Sequence, residues 1–201
     1  MSARPPRDEP FTRYQPRPGQ DTTIRINPGG HYVSLGFDEL LVTVLGSCVA
    51  ACIRDPLAQV GGMNHFMLPE SDDGGGGTAA ASLRFGNFAM ERLINDILCR
   101  GGRRNSLEIK VFGGARMSGD GDGVGPRNAD FVETYLREEG LRVAAAHLRG
   151  AHARRIHYYP LTGRVRMLEL PYDEPRIVRV ESTYGARIRN EPVAGSIELF
   201  D

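Results

Sequence analysis

The residues best suited to chemistry lie in one stretch of the chain, residues 43–68, which reads TVLGSCVAACIRDPLAQVGGMNHFML. It holds two of the three cysteines, Cys48 and Cys52, and one of the five histidines, His65. A thiol next to an imidazole is a nucleophile with its own base, because the imidazole lowers the pKa of the thiol and helps to form the attacking thiolate. The fold must therefore bring Cys48 and His65 together if this chemistry is to occur.

Hairpin pairing within this stretch predicts such a contact. If the apolar runs on either side of residues 55–59 pair as antiparallel strands, Cys48 lies opposite Phe66, or opposite His65 when the register is one residue lower. Directly opposed side chains lie about 4.5–5.5 Å apart at Cβ. Because a slip of one residue turns a side chain to the other face of a sheet, the pair of Cys48 and His65 is a hypothesis at this point.

The residues around the thiol favour a catalytic role. Gly46 and Ser47 interrupt the apolar run just before Cys48, and a sharp turn there would leave backbone N–H groups free to stabilise an oxyanion. Thr43 could orient the imidazole or a substrate amide through its hydroxyl, and Asn64 is a further candidate for the loop that holds the substrate. The alternative is that Cys48 is a small buried hydrophobic residue, as most free cysteines in apolar runs are.

Cys52 is the internal comparison for Cys48, because it lies in the same apolar run without a glycine turn before it. In a strand the two sulfurs would be about 13 Å apart, which is too far for a disulfide or a shared metal ion. In a helix they would be adjacent, and a metal or redox pair would remain an option. Zinc is poorly supported, since one distant histidine does not supply a second pair of ligands, and we expect no cofactor.

Composition and charge argue against several classes of protein. The 201 residues carry 25 Lys and Arg and 25 Asp and Glu, so the formal net charge is zero. Coating nucleic acid or an anionic membrane needs a net basic surface, so we expect neither partner. There is no run of about 18 apolar residues, so no membrane insertion is expected. Three cysteines in a chain of this length do not make a disulfide framework, which favours a cytoplasmic location.

The elements that must position these residues indicate a mixed α/β or α+β domain with helices packed on sheet. Residues 1–22 are rich in proline and arginine and are expected to be a flexible tail before a domain over residues 23–201. Two helices are expected, over residues 84–100 and from an N-cap at Asn128 to Gly140. Strands are expected over residues 40–45, 48–54, 60–68, 107–111, 141–148, 155–159 and 164–168.

Six blocks of the sequence resemble, in the same order, the CheD family of chemoreceptor glutamine deamidases, and the resemblance covers residues 23–200. LGSC followed by GGMNHFMLP at this spacing is highly specific. The blocks are LGSCVAACIRDP (residues 45–56), GGMNHFMLP (61–69), FGNFAMERLI (85–94), KVFGGARM (110–117), VGPRNADFV (124–132) and GSIELF (195–200).

The resemblance implies a three-layer sandwich with mixed sheets and two main helices, and a Cys–His–Thr site in which Cys48 is the nucleophile, His65 the histidine and Thr43 the best match for the threonine. It implies hydrolysis of glutamine side chains to glutamate on methyl-accepting chemotaxis receptors, through a cysteine thioester. The implied partners are the cytoplasmic helical bundle of those receptors and a CheC-type phosphatase. The alternative is mainly a receptor- or CheC-binding adaptation module with secondary catalysis.

Overall fold

Two five-stranded β-sheets and three α-helices make up the computed structural model, which describes residues 9–69, 78–117, 123–171 and 175–190. The strands are β1 (Phe11–Tyr14), β2 (Thr22–Ile26), β3 (His31–Ser34), β4 (Glu39–Leu45), β5 (Val49–Asp55), β6 (Val60–Asn64), β7 (Glu108–Gly113), β8 (Val143–Leu148), β9 (Arg154–Tyr159) and β10 (Arg164–Glu169). The helices are α1 (Thr78–Cys99), α2 (Val124–Glu138) and α3 (Pro175–Asn190), with a short 3-10 helix at Arg104–Ser106.

Both sheets are mixed, as expected. The first sheet has the order β1-β2-β4-β9-β10 and the second the order β3-β6-β5-β7-β8. Each contains one parallel pair, β2 with β4 and β7 with β8, among antiparallel neighbours. The expected α+β class is therefore confirmed.

The helices α1 and α2 and the two sheets stack as three layers. The apolar stripe of α1, which includes Met90, Leu93 and Ile97, packs with residues of α2 against one face of the second sheet. The other face of that sheet packs against the first sheet, which contributes Ile24 and Leu41 to the second core cluster. Because β5 is covered on both faces, its sequence is a continuous apolar run rather than an alternating one.

Helix α3 is an element that the sequence analysis did not predict, so the expected count of two main helices is one too low. Its buried positions are Ile177, Glu181, Tyr184 and Ile188, which follow helical spacing. A glutamate takes one place in this stripe, and exposed polar residues cover much of the remainder. The apolar periodicity is therefore weak although the helix has a buried face.

Helix α2 also begins earlier than expected. Gly123, with φ of 88°, precedes the first turn, and Asn128 lies inside the helix rather than at its N-cap. Asn128 is fully buried, and its side chain serves the candidate site described below. Among the described helices, none combines the length and the apolar character that a membrane-spanning segment needs.

Strand β1 lies within the expected flexible tail. It pairs antiparallel with β2, and Arg13 donates a 2.8 Å hydrogen bond to Glu39 while Phe11 packs edge-on against Tyr32. The four-residue strand is too short, and too closely flanked by prolines, for its pattern to stand out in the sequence. Residues 1–8 of the expected tail lie outside the described residues, and the division into a tail and a domain otherwise stays a prediction.

Candidate active site

The β5–β6 hairpin carries the candidate nucleophile and base, with a register one residue away from the expected one. Asp55 pairs with Val60 and Cys52 with Met63, and a bridge joins Val49 to Phe66. Asp55 belongs to the strand rather than to the turn, because its carboxylate caps the turn by accepting N–H bonds from the residues that follow. The expected pairing of Cys48 with Phe66, or with His65 one register lower, is therefore wrong.

The thiol and the imidazole nevertheless meet. The pairing of Val49 with Phe66 sets Ala50 opposite His65, and Cys48 lies on the same buried face of the strand as Ala50. Cys48 is thus the diagonal neighbour of His65, a position from which a ring is within reach. Cys48 Sγ lies within 4.8 Å of a ring nitrogen of His65.

Thr43 forms a hydrogen bond with Nδ1 of the imidazole. Its Oγ1 lies 2.8 Å from His65 Nδ1 and donates to the carbonyl of Ile26 at 3.0 Å. A hydroxyl has one proton, and a carbonyl oxygen can only accept, so Thr43 accepts from Nδ1–H of His65. This assignment places the proton on Nδ1 and leaves the lone pair on Nε2, which finds no hydrogen-bond partner among the described residues.

His65 is neutral at physiological pH in this conformation. Burial lowers its pKa to about 4, and the nearby Glu181 carboxylate opposes the shift without cancelling it. The backbone of His65 is fixed as well, because its N–H donates to Gly30 and its carbonyl accepts from Gly29. The geometry thus presents a neutral imidazole, in one tautomer, to Cys48.

Three backbone N–H groups converge beside the thiol at residues 46–48, which we call the nest. Gly46 N and Cys48 N donate to Glu181 Oε1 at 2.8 and 3.2 Å, and Ser47 N donates to Oε2 at 2.8 Å. Ser47 Oγ adds a bond of 2.7 Å to Oε2. Such converging donors bind a carboxylate or an oxyanion, and here they bind the Glu181 carboxylate.

The carbonyl groups of the nest are held on its outer side. Those of Gly46 and Cys48 accept from Ala115 N and Gly114 N at 2.9 and 2.8 Å, and that of Ser47 accepts from Asn128 Nδ2 at 2.8 Å. Asn128 also receives Leu68 N–H on its Oδ1. The bonds to the carbonyls of Gly46 and Ser47 therefore fix the peptide groups that carry the N–H of Ser47 and of Cys48.

Glu181 is the functional candidate that the sequence analysis missed. It lies on α3, 133 positions after Cys48, and its carboxylate forms one cluster with Cys48 Sγ and a ring nitrogen of His65, all within 4.8 Å of one another. A Cβ at position 46 would lie 2.7 Å from a Glu181 oxygen, so the close approach requires glycine there. The signal in the sequence is a lone acidic residue at an apolar position of a helix.

A cavity of about 410 Å³ opens next to this cluster. Thr43, His65 and Glu181 line it together with Arg25 and Arg155. Cys48 does not line it, and its exposed fraction is 0%. His65 and Glu181 are therefore the two members of the cluster that line the cavity.

Asn64 does not join the site. Its Oδ1 accepts Ala51 N–H at 2.8 Å and its Nδ2 donates to the carbonyl of Ala89 at 3.0 Å. These bonds tie β5 and β6 to α1, on the helix-covered face of the sheet. The expectation that Asn64 serves the substrate loop is wrong, because its polar atoms are already engaged on the opposite face from Cys48.

Cys52 behaves as the buried comparison that the strand geometry predicts. It lies inside β5 with 1% of its surface exposed, and burial raises the pKa of its thiol well above its usual range. All three cysteines are free, and Cys99 at the end of α1 is exposed. A pairing of Cys48 with Cys52, by disulfide or by metal, does not fit a strand.

The cluster of Cys48, His65 and Glu181 could in principle hold a metal ion, since it offers one sulfur, one nitrogen and one oxygen ligand. The carboxylate already accepts four hydrogen bonds from the nest and Ser47 Oγ. A bound carboxylate explains this arrangement without a metal.

Comparison with known proteins provides independent information. The model of a family described as CheD chemotactic sensory transduction matches residues 67–169, a range that includes none of Cys48, His65 and Glu181. A relative from Rhodopseudomonas palustris (strain BisA53), named "Probable chemoreceptor glutamine deamidase CheD", is 61% identical over 178 residues, which cover 88% of this chain and 84% of the relative.

More distant relatives carry the same name. One from Xanthomonas campestris pv. campestris (strain B100) is 44% identical over 192 residues, 94% of each chain. One from Thiobacillus denitrificans (strain ATCC 25259 / T1) is 45% identical over 181 residues, 89% of each chain. Among solved structures, Neisseria meningitidis protein NMB0706 is 11% identical over 60% of this chain and 51% of that chain, and its TM-score of 0.35 is too low to support an argument about fold.

Proposed function

Because the chain belongs to the CheD family, we propose that it is a chemoreceptor glutamine deamidase, a hydrolase of the protein-glutamine glutaminase type. The observation that carries the proposal is Cys48 Sγ within 4.8 Å of a ring nitrogen of His65, with backbone donors of the nest beside it. A nucleophile, a base and oxyanion donors in one place are the groups that amide hydrolysis needs.

The first half of the reaction forms a thioester. Neutral His65 takes the thiol proton on Nε2, and the Cys48 thiolate attacks the side-chain carbonyl carbon of a glutamine. The negative charge that develops on the carbonyl oxygen is stabilised by the N–H groups of Gly46 and Cys48. His65 then gives the proton to the leaving amide nitrogen, so ammonia departs and a γ-glutamyl thioester of Cys48 remains.

The second half consumes one water molecule. His65 removes a proton from the water, the resulting hydroxide attacks the thioester carbonyl, and the C–S bond breaks. His65 returns its proton to the Cys48 sulfur, which restores the free thiol. The carboxylic acid that forms passes its proton to the released ammonia, so the products are a glutamate side chain and ammonium. Thr43 acts as a positioning residue throughout, because it keeps the proton of the imidazole on Nδ1.

The proposed substrates are glutamine side chains in the cytoplasmic helical bundle of methyl-accepting chemotaxis receptors. Conversion of an amide to a carboxylate adds a negative charge to that bundle and so biases its signalling state. We propose that the reaction takes place in the cytoplasm, in chemotaxis adaptation, and that a CheC-type phosphatase is a partner.

One observation favours a second candidate function, an adaptation module that binds receptors or a CheC-type partner and in which catalysis is secondary. Cys48 is completely buried and Glu181 fills the nest, so the described conformation leaves no room for a substrate amide at the sulfur. A module that mainly binds would need no opening at this place.

Mass spectrometry of a receptor cytoplasmic fragment, incubated with the full chain in the presence of EDTA, separates the two functions. Deamidation predicts a gain of about 1 Da at specific glutamines, which disappears with Cys48→Ala and persists with Cys52→Ala. The chelator removes any metal-dependent route. If no glutamine is converted by the wild-type chain while receptor binding is measurable, the binding module is the better account.

A further inference from the structure

The Glu181 side chain lies where the mechanism places the reacting group of the substrate. Its Oε1 accepts from Gly46 N and Cys48 N, the pair of donors assigned to the oxyanion. Its Oε2 accepts from Ser47 N and Ser47 Oγ. A carboxylate with Cys48 Sγ and a His65 nitrogen within 4.8 Å has the position expected of a glutamate product that has just been released.

The nest belongs to the β4–β5 connection and can bind an acceptor other than Glu181. The carbonyls of Gly46 and Ser47 accept from Ala115 and Asn128, and these bonds fix the peptide groups that carry the N–H of Ser47 and of Cys48. Converging donors in a buried place need an acceptor, since a buried N–H without a partner is strongly unfavourable. Glu181 meets that need from a distant part of the chain.

The helix that carries Glu181 resembles the proposed substrate. It projects from the buried face of a helix, between Ile177 and Tyr184, which pack beside it. The product of the proposed reaction is a side chain of the same chemical identity and length, borne by a receptor helix. The substrate and α3 therefore need the same subsite and approach it with the same kind of backbone.

We propose that α3 is a built-in product analogue: the Glu181 carboxylate occupies the subsite of the substrate carboxamide, and a receptor helix must displace α3 before it can present a glutamine to Cys48. This inference rests on the proposed function, of which it names the substrate subsite and the regulation. It accounts for the complete burial of the nucleophile next to a cavity that Glu181 lines.

The proposal is tested by the rate at which iodoacetamide alkylates each cysteine of the full chain, resolved by peptide mass spectrometry. Glu181→Ala should speed alkylation of Cys48 roughly tenfold or more, the factor expected from the loss of at least one charge-assisted hydrogen bond. Glu181→Asp, one methylene too short to reach the nest, should have a smaller effect in the same direction. Ser182→Ala, at the next and exposed position of α3, should match the wild type.

The other cysteines are internal controls. Cys99 is exposed and should react equally in all variants, whereas Cys52 is buried in the same core cluster as Cys48 and should stay protected. Labelling of Cys52 would reveal a variant that has lost its fold. If Glu181→Ala has lost its fold, the test is the alkylation rate of Cys48 in Glu181→Asp. A rate equal to that of the wild type overturns the proposal.

Deamidation of a receptor fragment by the same variants separates this inference from the proposed function. A higher initial rate with Glu181→Ala than with the wild type supports the product analogue. Deamidation by the wild type with no faster alkylation in Glu181→Ala overturns the inference and leaves the function intact. Faster alkylation without deamidation by any variant supports α3 as the cover and contradicts the function. Faster alkylation with loss of deamidation in Glu181→Ala alone places Glu181 in the catalytic machinery and overturns the inference.

Discussion

The two ends of the β5–β6 hairpin each hold a carboxylate on three backbone N–H groups, but the carboxylates differ in origin. At the turn end, buried Asp55 accepts from Leu57, Ala58 and Arg103. At the open end, Glu181 accepts from the N–H groups of residues 46–48. Asp55 belongs to the hairpin that it stabilises, whereas Glu181 is brought to the nest by α3.

The difference distinguishes a structural carboxylate from a replaceable one. Burial alone would raise the pKa of Asp55, but the backbone donors and nearby Arg103 lower it below its usual range. Asp55 has no cavity beside it in the described pockets, while Glu181 lines one. The Glu181 carboxylate is supplied by α3 rather than by the hairpin, and it lies next to a nucleophile and a cavity. Its position therefore indicates where another ligand can bind.

The largest expected effect is on activity at the open end. His65→Gln should lower the deamidation rate roughly 10²- to 10⁴-fold, because the general base is lost. His31→Gln, which changes a histidine on β3 near Asp96 and outside the site, is the matched control and should leave the rate unchanged. A His65→Gln enzyme that keeps most of the wild-type rate would show that the open end is no more catalytic than the turn end.

Thr43 is expected to have an intermediate effect, since it positions the imidazole rather than reacting. Thr43→Val preserves the shape but removes the acceptor for Nδ1–H, so the rate should fall roughly tenfold to a hundredfold, as for other groups that orient a functional histidine. Thr43→Ser should restore most of the activity. The pH dependence of the rate, measured for all three chains, should shift only in Thr43→Val, and rescue by Thr43→Ala instead of Thr43→Ser would argue for a packing role.

Stability should fall more at the turn end than at the open end. Asp55→Ala leaves three partly buried N–H groups without their acceptor and should reduce the free energy of unfolding by roughly 2–3 kcal/mol. Glu181→Ala should reduce it by less, about 1 kcal/mol, because water can reach the nest once α3 is loosened. Urea unfolding of both variants checks the ranking, and equal losses would mean that Glu181 is as structural as Asp55.

The last comparison concerns pH, because the two ends should titrate in different windows. The pKa of His65 is lowered from 6.5 to about 4, so between these values the unfolded chain binds more protons and stability falls as the pH falls. The lowered pKa of Asp55, whose usual value is 3.8, places its contribution below that window. Between pH 6.5 and 4, the free energy of unfolding should therefore fall less in His65→Gln than in the wild type.

The matched variant for the acid window is Asp55→Asn, which should flatten the stability profile only below about pH 4. His31 and His157 also have pKa values lowered by burial, so the difference between wild type and His65→Gln is the quantity to compare. An unchanged slope between pH 6.5 and 4 in His65→Gln would contradict the buried neutral imidazole.

Local patterns made much of this molecule predictable from its sequence. The meeting of Cys48 and His65 follows from a hairpin whose strands are close in sequence, and the stripe of α1 follows from helical periodicity. The register was missed by one residue because Asp55 is part of β5 and Gln59 adopts φ of 53°, so the turn is shorter than its composition indicates.

The contacts that could not be predicted come from distant parts of the chain. Glu181 reaches the nest from 133 positions away, and only its place in the weak apolar stripe of α3 distinguishes it from a surface glutamate. Asn128 resembles an N-cap in the sequence, but tertiary packing places it inside α2 with both ends of its amide used. Asn64 was expected to serve the substrate loop, but the side chain next to His65 in a strand points to the opposite face.

The most direct test of the whole account is the intact mass of the Glu181→Gln chain. If the residue at position 181 occupies the substrate subsite of an active glutaminase, its new amide lies beside Cys48 and should be hydrolysed in place. The purified chain should then gain about 1 Da and return to the wild-type mass, and the same substitution in a Cys48→Ala background should not. A glutamine that persists at position 181, under conditions in which the wild type deamidates a receptor fragment, would contradict the account.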